Sequence, residues 1–406
     1  MFMNRCFSLV FALLTMIGGV MATSSCSMLP GRSSDTMVII YIAADNNLAS
    51  SAMADIQEIV DGYVPDYCEP GERGNVLLLF VDLPSSEPQL IRLYKDRYGV
   101  VNKEVLHVYD EEQYLSSDPN TLNEVLYYSH SLFPTEHNGL ILWSHGTGWL
   151  PDGFYSHPVT EGEDGSVVSL GMKEDPFRDY VKSFGVDGGR EMEITDLVKA
   201  LPIDYDFILF DACFMGGIEV AYELRNKCDF FIGSAAEVLV GGFPYNEIME
   251  NLFRGGESNY GRVCKSYYDY YNSRNLGATV SLVRCEHLER LAKSVAQVME
   301  TRADMIPTLD MSQVQGFFRY DDKWFYDLGS LMEQISSVGQ LEQIKKNLSE
   351  SVKYKYATDA YYINGFNFFD IKTFSGLSTY APNPENGYLA SHYRNLSWNR
   401  AVHMIE

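Results

Sequence analysis

"GLILWSHGTGW" (139–149) and "FILFDACFMGG" (207–217) are two apolar runs that end abruptly, the first in His145 and the second in Cys213. A short apolar run without polar alternation reads as a strand buried on both faces. Three more runs of this kind, "MVIIYIAA" (37–44), "NVLLLFVD" (75–82) and "FFIGSAA" (230–236), are interspersed with helical patterns, among them "DNNLASSAMADIQEIVDG" and Thr121 to Phe133. "QLIRLYKDRYGVVNKEVLHV" reads as a hairpin turning at "DRYG", and "GATVSLVRC" (277–285) as a further strand. Apolar strands alternating with amphipathic helices predict an α/β fold whose mostly parallel sheet has helices on both faces. Ligands of such sheets sit beyond the C-terminal strand ends. His145 and Cys213 both fall there.

The whole chain bounds the function. Its 406 residues, 46% hydrophobic and 21% charged, are those of a folded protein with a sizeable core. A formal net charge of −24 excludes a nucleic-acid surface, which needs clustered Lys and Arg. The first residues join Arg5, an apolar run from Phe7 to Val20 and small residues before Cys26, the pattern of a secretory signal. "TSSC" resembles a bacterial lipoprotein signal, with cleavage leaving Cys26 to carry lipid and to anchor the protein at a membrane without a spanning helix. The alternative is ordinary cleavage and a freely secreted product. The five cysteines beyond Cys26 are scattered and show neither CxxC nor HExxH spacing, so no metal site is expected.

A thiol becomes a strong nucleophile when an imidazole takes its proton, and the tetrahedral intermediate needs backbone N–H donors for its oxyanion. His145 and Cys213 supply the first pair. Gly146 allows a sharp turn and close approach, so the amides of Gly146 and Cys213 are the candidate oxyanion donors. Asp211 lies two residues before the cysteine, on the same side if the strand persists, where a carboxylate could receive a cationic substrate side chain. Capping of a helix beginning near Met215 is its other role. Each half alone also suits a buried small hydrophobe or a structural histidine. Residues 150–192, rich in Gly, Asp, Pro and Ser, form a loop long enough to be a lid or a cleavage segment.

Together with "IIYIAADNNL", "VLLLFVD", "WFYDLGSL" (324–331) and "GLSTYAP" (376–382), the two opening stretches resemble the clostripain family of cysteine peptidases, across about positions 37 to 382. The resemblance implies a caspase-like fold and an endopeptidase with a His145 and Cys213 dyad that cleaves after Arg, or after Lys. It places Asp211 in the pocket for that residue and makes Glu237 a second, weaker candidate, for which a solvated loop acid is the bland alternative. It further implies self-cleavage at a basic residue between His and Cys, for which Lys173, Arg178, Lys182 and Arg190 are available. Calcium is implied by the family alone, since the "EGEDG" acids lack calcium-loop spacing. The expected organisation is a signal peptide (1–25), a linker (26–36), a peptidase domain (37–285) and a mainly helical C-terminal region (286–406) packed on it. The expected protein is an exported cell-envelope lipoprotein that acts on protein or peptide substrates. The competing readings are a silent binding lipoprotein with a peptidase fold, and a transpeptidase using the same acyl-enzyme.

Overall fold

The computed structural model describes residues 35–84, 86–111, 113–162, 166–171, 181, 191–320, 323–382 and 386–405. The expected signal peptide and Cys26 lie outside the described residues, as do Lys173, Arg178, Lys182 and Arg190.

In chain order, β1 (Thr36–Ala43), α1 (Ala49–Asp61), β2 (Val76–Leu83), β3 (Ser86–Lys95), β4 (Val101–Val108), α2 (Pro119–Leu132) and β5 (His137–Trp143) come first. The long loop carries a hairpin of β6 (Val159–Glu161) and β7 (Val167–Ser169). There follow α3 (Ile194–Ala200), β8 (Tyr205–Asp211), α4 (Ile218–Glu223), β9 (Cys228–Gly233), α5 (Tyr245–Arg254), α6 (Glu257–Asn272) and β10 (Thr279–Arg284). Next come α7 (Leu288–Arg302), β11 (Tyr326–Asp327), α8 (Leu328–Ile335), α9 (Val338–Ser351) and β12 (Val352–Ala357). The chain closes with β13 (Ala360–Ile363), β14 (Phe366–Asp370), β15 (Ser378–Thr379), α10 (Gly387–Tyr393) and α11 (Ser397–Val402).

Nine strands make one sheet in the order β12-β10-β9-β8-β5-β1-β2-β3-β4. The central strands β9, β8, β5, β1 and β2 run parallel, whereas the pairings outside them are antiparallel. The "mostly parallel" expectation therefore holds for the centre and not for the edges. The reason lies in the connections: a parallel neighbour needs a crossover of a dozen or more residues, and only two residues separate β2 from β3. At the next turn the Asp96 carboxylate accepts from the amides of Tyr98 and Val100 and reverses the chain into β4.

Every residue of β1 is buried, which requires cover on both faces of the sheet. From β1 the chain runs outward to β2 and then returns to β5 on the other side of β1. This reversal opens a crevice at the C-terminal ends of β1 and β5, the place where open α/β sheets bind ligands. The last strand of the sheet, β12, comes from the segment after residue 286, so the C-terminal region shares the sheet as well as supplying helices.

Candidate active site

The register fixes the two functional turns. Trp143 of β5 stands opposite Asp211 of β8, so His145 and Cys213 each lie two residues beyond one rung of the ladder. The turns then touch. A Cβ at position 146 would stand 2.9 Å from the Cys213 amide nitrogen and from Ala212 Cβ, and closer still to the Cys213 carbonyl oxygen. Glycine is required here because the His145 turn packs flush against the Cys213 backbone.

The turn after β8 is built from several sides. Phe214 has φ +59, a left-handed conformation uncommon for a bulky residue. Its amide donates to the Ala236 carbonyl at 3.0 Å and that of Gly216 to Ser234 at 2.7 Å, docking the turn onto the segment after β9. The Phe214 ring stacks on Phe325 with centroids 4.3 Å apart. Cys213 Sγ accepts from the Val238 amide at 3.1 Å and sits 3.5 Å from the Val238 carbonyl oxygen. Burial pushes the thiols of Cys68, Cys228 and Cys264 up, which keeps them protonated.

His145 is buried, with Nε2 2.7 Å from Asn47 Oδ1. Asn47 comes from the turn after β1; the sequence showed it only within "IIYIAADNNL" and gave it no role. Only the β1–β5 pairing brings position 47 to position 145.

Asp211 ends β8 and is fully buried. Its Oδ2 accepts from the Tyr245 hydroxyl at 3.0 Å and from the Phe243 amide at 3.2 Å. Burial beside this acid holds the Tyr245 hydroxyl neutral, far above its ordinary range. The helix-capping alternative is not what the geometry shows, because α4 begins at Ile218 behind Gly217 and has no side-chain cap.

Glu237 is not a solvated loop acid. It is 3% exposed. Its carboxylate is held by both the Nε and the Nη2 of Arg319, the latter at 2.8 Å, and it accepts from the Tyr155 hydroxyl at 3.0 Å. Tyr155 packs against the Phe214 ring, centroids 5.6 Å apart. A bidentate guanidinium satisfies a buried carboxylate in a way few other partners can. The sequence showed Glu237 but not its partner, which lies 82 residues away.

The C-terminal motifs support the Cys213 turn. Tyr326 and Asp327 of "WFYDLGSL" pair with Ser378 and Thr379 of "GLSTYAP". The Ser378 amide donates to the Gly216 carbonyl at 3.1 Å. Glu219, buried at the start of α4, accepts from Thr379 Oγ1, the Tyr380 amide and the Tyr393 hydroxyl. From the long loop, Glu191 accepts from the Thr147 hydroxyl at 3.1 Å, and Val181 forms an antiparallel bridge with Leu239, the neighbour of Val238. Among the described residues no group of three or more His, Cys, Asp or Glu side chains is arranged to hold a metal ion. No step below depends on calcium.

A family model described as the clostripain family, peptidase family C11, matches residues 40–161 and 175–393. The chain belongs to the clostripain family. Clostripain of Hathewaya histolytica is 26% identical over 243 residues, which cover 55% of this chain and 43% of that protein, so the match spans less than half the relative's length. An inactive zymogen C11 protease from Parabacteroides distasonis has a TM-score of 0.76 at 28% identity, covering 92% of this chain and 99% of that one. A secreted C11 cysteine protease from Bacteroides thetaiotaomicron, solved with an irreversible peptide inhibitor, has a TM-score of 0.73 at 28% identity, covering 91% and 98%. The caspase-like α/β fold implied by the clostripain motifs is thereby borne out, with the sheet of mixed orientation already described.

Proposed function

We propose that this clostripain-family chain is an exported cysteine endopeptidase that cleaves after Arg or Lys through His145 and Cys213. The observation that carries the reading is the seating of the Gly146 turn against the Cys213 backbone, which places a buried imidazole and a thiol at adjacent strand ends. His145 takes the thiol proton, and Cys213 Sγ attacks the scissile carbonyl carbon. The amides of Gly146 and Cys213 donate to the oxyanion. On collapse the C–N bond breaks, the imidazolium returns its proton to the leaving amine, and a thioester remains. Water, deprotonated by His145, then releases the carboxylic acid and the thiol.

Asp211 supplies the negative charge for the substrate's cation, since the Glu237 carboxylate is already committed to Arg319. Maturation by self-cleavage is part of the same reading. The four basic residues of the loop, Lys173, Arg178, Lys182 and Arg190, are the candidate cleavage sites. Export rests on the N-terminal pattern ending at Cys26, and lipid attachment there is the anchor we favour. Relatives described as secreted support export.

The deciding experiment uses matched peptides with Arg, Lys, Ala or Asp before the scissile bond, and follows intact mass in parallel. Cleavage after Arg or Lys only, and loss of both peptide and loop cleavage in Cys213→Ala, are expected. Asp211→Asn keeps an acceptor for Tyr245 and Phe243 while removing the charge, so it should raise KM for cationic substrates without unfolding the protein. Folded wild type, tested with and without calcium and after loop nicking, that hydrolyses none of these peptides would favour the binding-protein alternative. Transfer of the acyl group to an added amine in place of water would favour the transpeptidase.

A further inference from the structure

We infer that Asn47 is a positioning residue for His145, fixing both the orientation of the imidazole and which of its nitrogens carries the proton; this rests on the role given to His145 above. The amide oxygen of Asn47 can only accept a hydrogen bond, and it lies 2.7 Å from His145 Nε2. In the neutral ring Nε2 must then carry the hydrogen, and Nδ1 keeps the lone pair that accepts the proton from the nucleophile. When the ring is protonated, the same oxygen stabilises the imidazolium. A base oriented by a third group in this way is what a two-residue nucleophilic site otherwise lacks.

The arrangement is built, not incidental. β1 and β5 are parallel neighbours with Ile42 opposite Trp143, so the turns that follow them start side by side. Both are tied to one atom, the carbonyl oxygen of Ala43. Ser144 Oγ donates to it at 2.5 Å from the histidine side, and Asn46 Nδ2 donates to it at 3.3 Å from the asparagine side. Asn46 Oδ1 in turn accepts from the Leu48 amide at 2.9 Å, closing the turn around Asn47. Asn47 itself is exposed whereas His145 is buried. Its side chain therefore fills no core space, and replacing it tests positioning without emptying a cavity.

The test uses the full chain with Asn47→Ala and Asn47→Asp, reading kcat and KM on an Arg peptide and the pH dependence of Cys213 alkylation by iodoacetamide. For Asn47→Ala, kcat should fall roughly 10- to 100-fold, part of the gain that positioned proton transfer provides, with KM within twofold of wild type. Its alkylation profile should shift along the pH axis. Asn47→Asp keeps the acceptor and adds a negative charge that favours the imidazolium, so kcat should recover to within a few-fold and the acidic limb of the profile should move. An Asn47→Ala protein with wild-type kcat and an unshifted alkylation profile would overturn the inference, and a rise in KM at constant kcat would reassign Asn47 to substrate contact. Alkylation needs no substrate: if no peptide is cleaved, the function reading fails while the profile still decides the Asn47–His145 coupling.

Discussion

Arg319→Met puts the buried ion pair of Glu237, next to the residue that contacts Cys213, to a quantitative test. The substitution leaves the Glu237 carboxylate buried, 3% exposed, with the Tyr155 hydroxyl as its remaining side-chain donor of those described. Removing one partner of a buried pair costs about 3–5 kcal/mol, because the other charge stays desolvated. With roughly 2.1 cal/mol/K of unfolding entropy per residue, a domain of this size loses about 4–6 °C of Tm. Glu237→Gln in the same chain removes the stranded charge and keeps an oxygen for Tyr155, so the double variant should recover most of the loss. Calorimetry or thermal fluorescence of both variants reads this directly. The site should respond as well. An unneutralised carboxylate beside Val238, whose amide holds Cys213 Sγ, disfavours the thiolate, and the single variant should need higher pH for alkylation. A Tm change under about 1 °C in the single variant, or a double variant no more stable than the single, would refute the argument that Arg319 acts by compensating Glu237.

Two further outcomes follow from the packing and charge of the same region. Gly146→Ala places a methyl group against the Cys213 backbone, so the two turns must part; kcat/KM should fall roughly 100-fold, as misplacements near 1 Å do, and an unchanged value in steady-state assays would contradict the close seating. Burial pushes the Glu191 carboxyl up from its ordinary 4.5 to about 7. Because the folded value is the higher one, its contribution to stability is complete below pH 4.5 and is lost as pH rises through 7, by at most about 3 kcal/mol. Glu191→Gln should flatten the corresponding slope in denaturant titrations between pH 5 and 8, and an unchanged slope would reject this assignment.

Much of the molecule was legible in one dimension. The five central strands announce themselves as apolar runs because a sheet covered on both faces leaves no polar alternation, and β1, β2, β5, β8 and β9 all show it. His145 and Cys213 stood out since each breaks such a run at the strand end where ligands bind. Asp211 was visible at its fixed spacing from the cysteine, although its neighbours Tyr245 and Phe243 were not.

What the sequence by itself determined, then, is the set of strands, the two strand-end residues and the family motifs, all of which are local patterns of hydrophobicity and spacing. Tertiary structure alone decided the partners. Asn47 meets His145 only because β1 and β5 are adjacent, Arg319 meets Glu237 across 82 residues, and Ser378 braces Gly216 through a C-terminal strand. Hydrogen bonds and ion pairs act over about 3 Å whatever the separation along the chain, so periodicity carries no record of them. They are set by strand order and register, which a pattern of single residues does not specify.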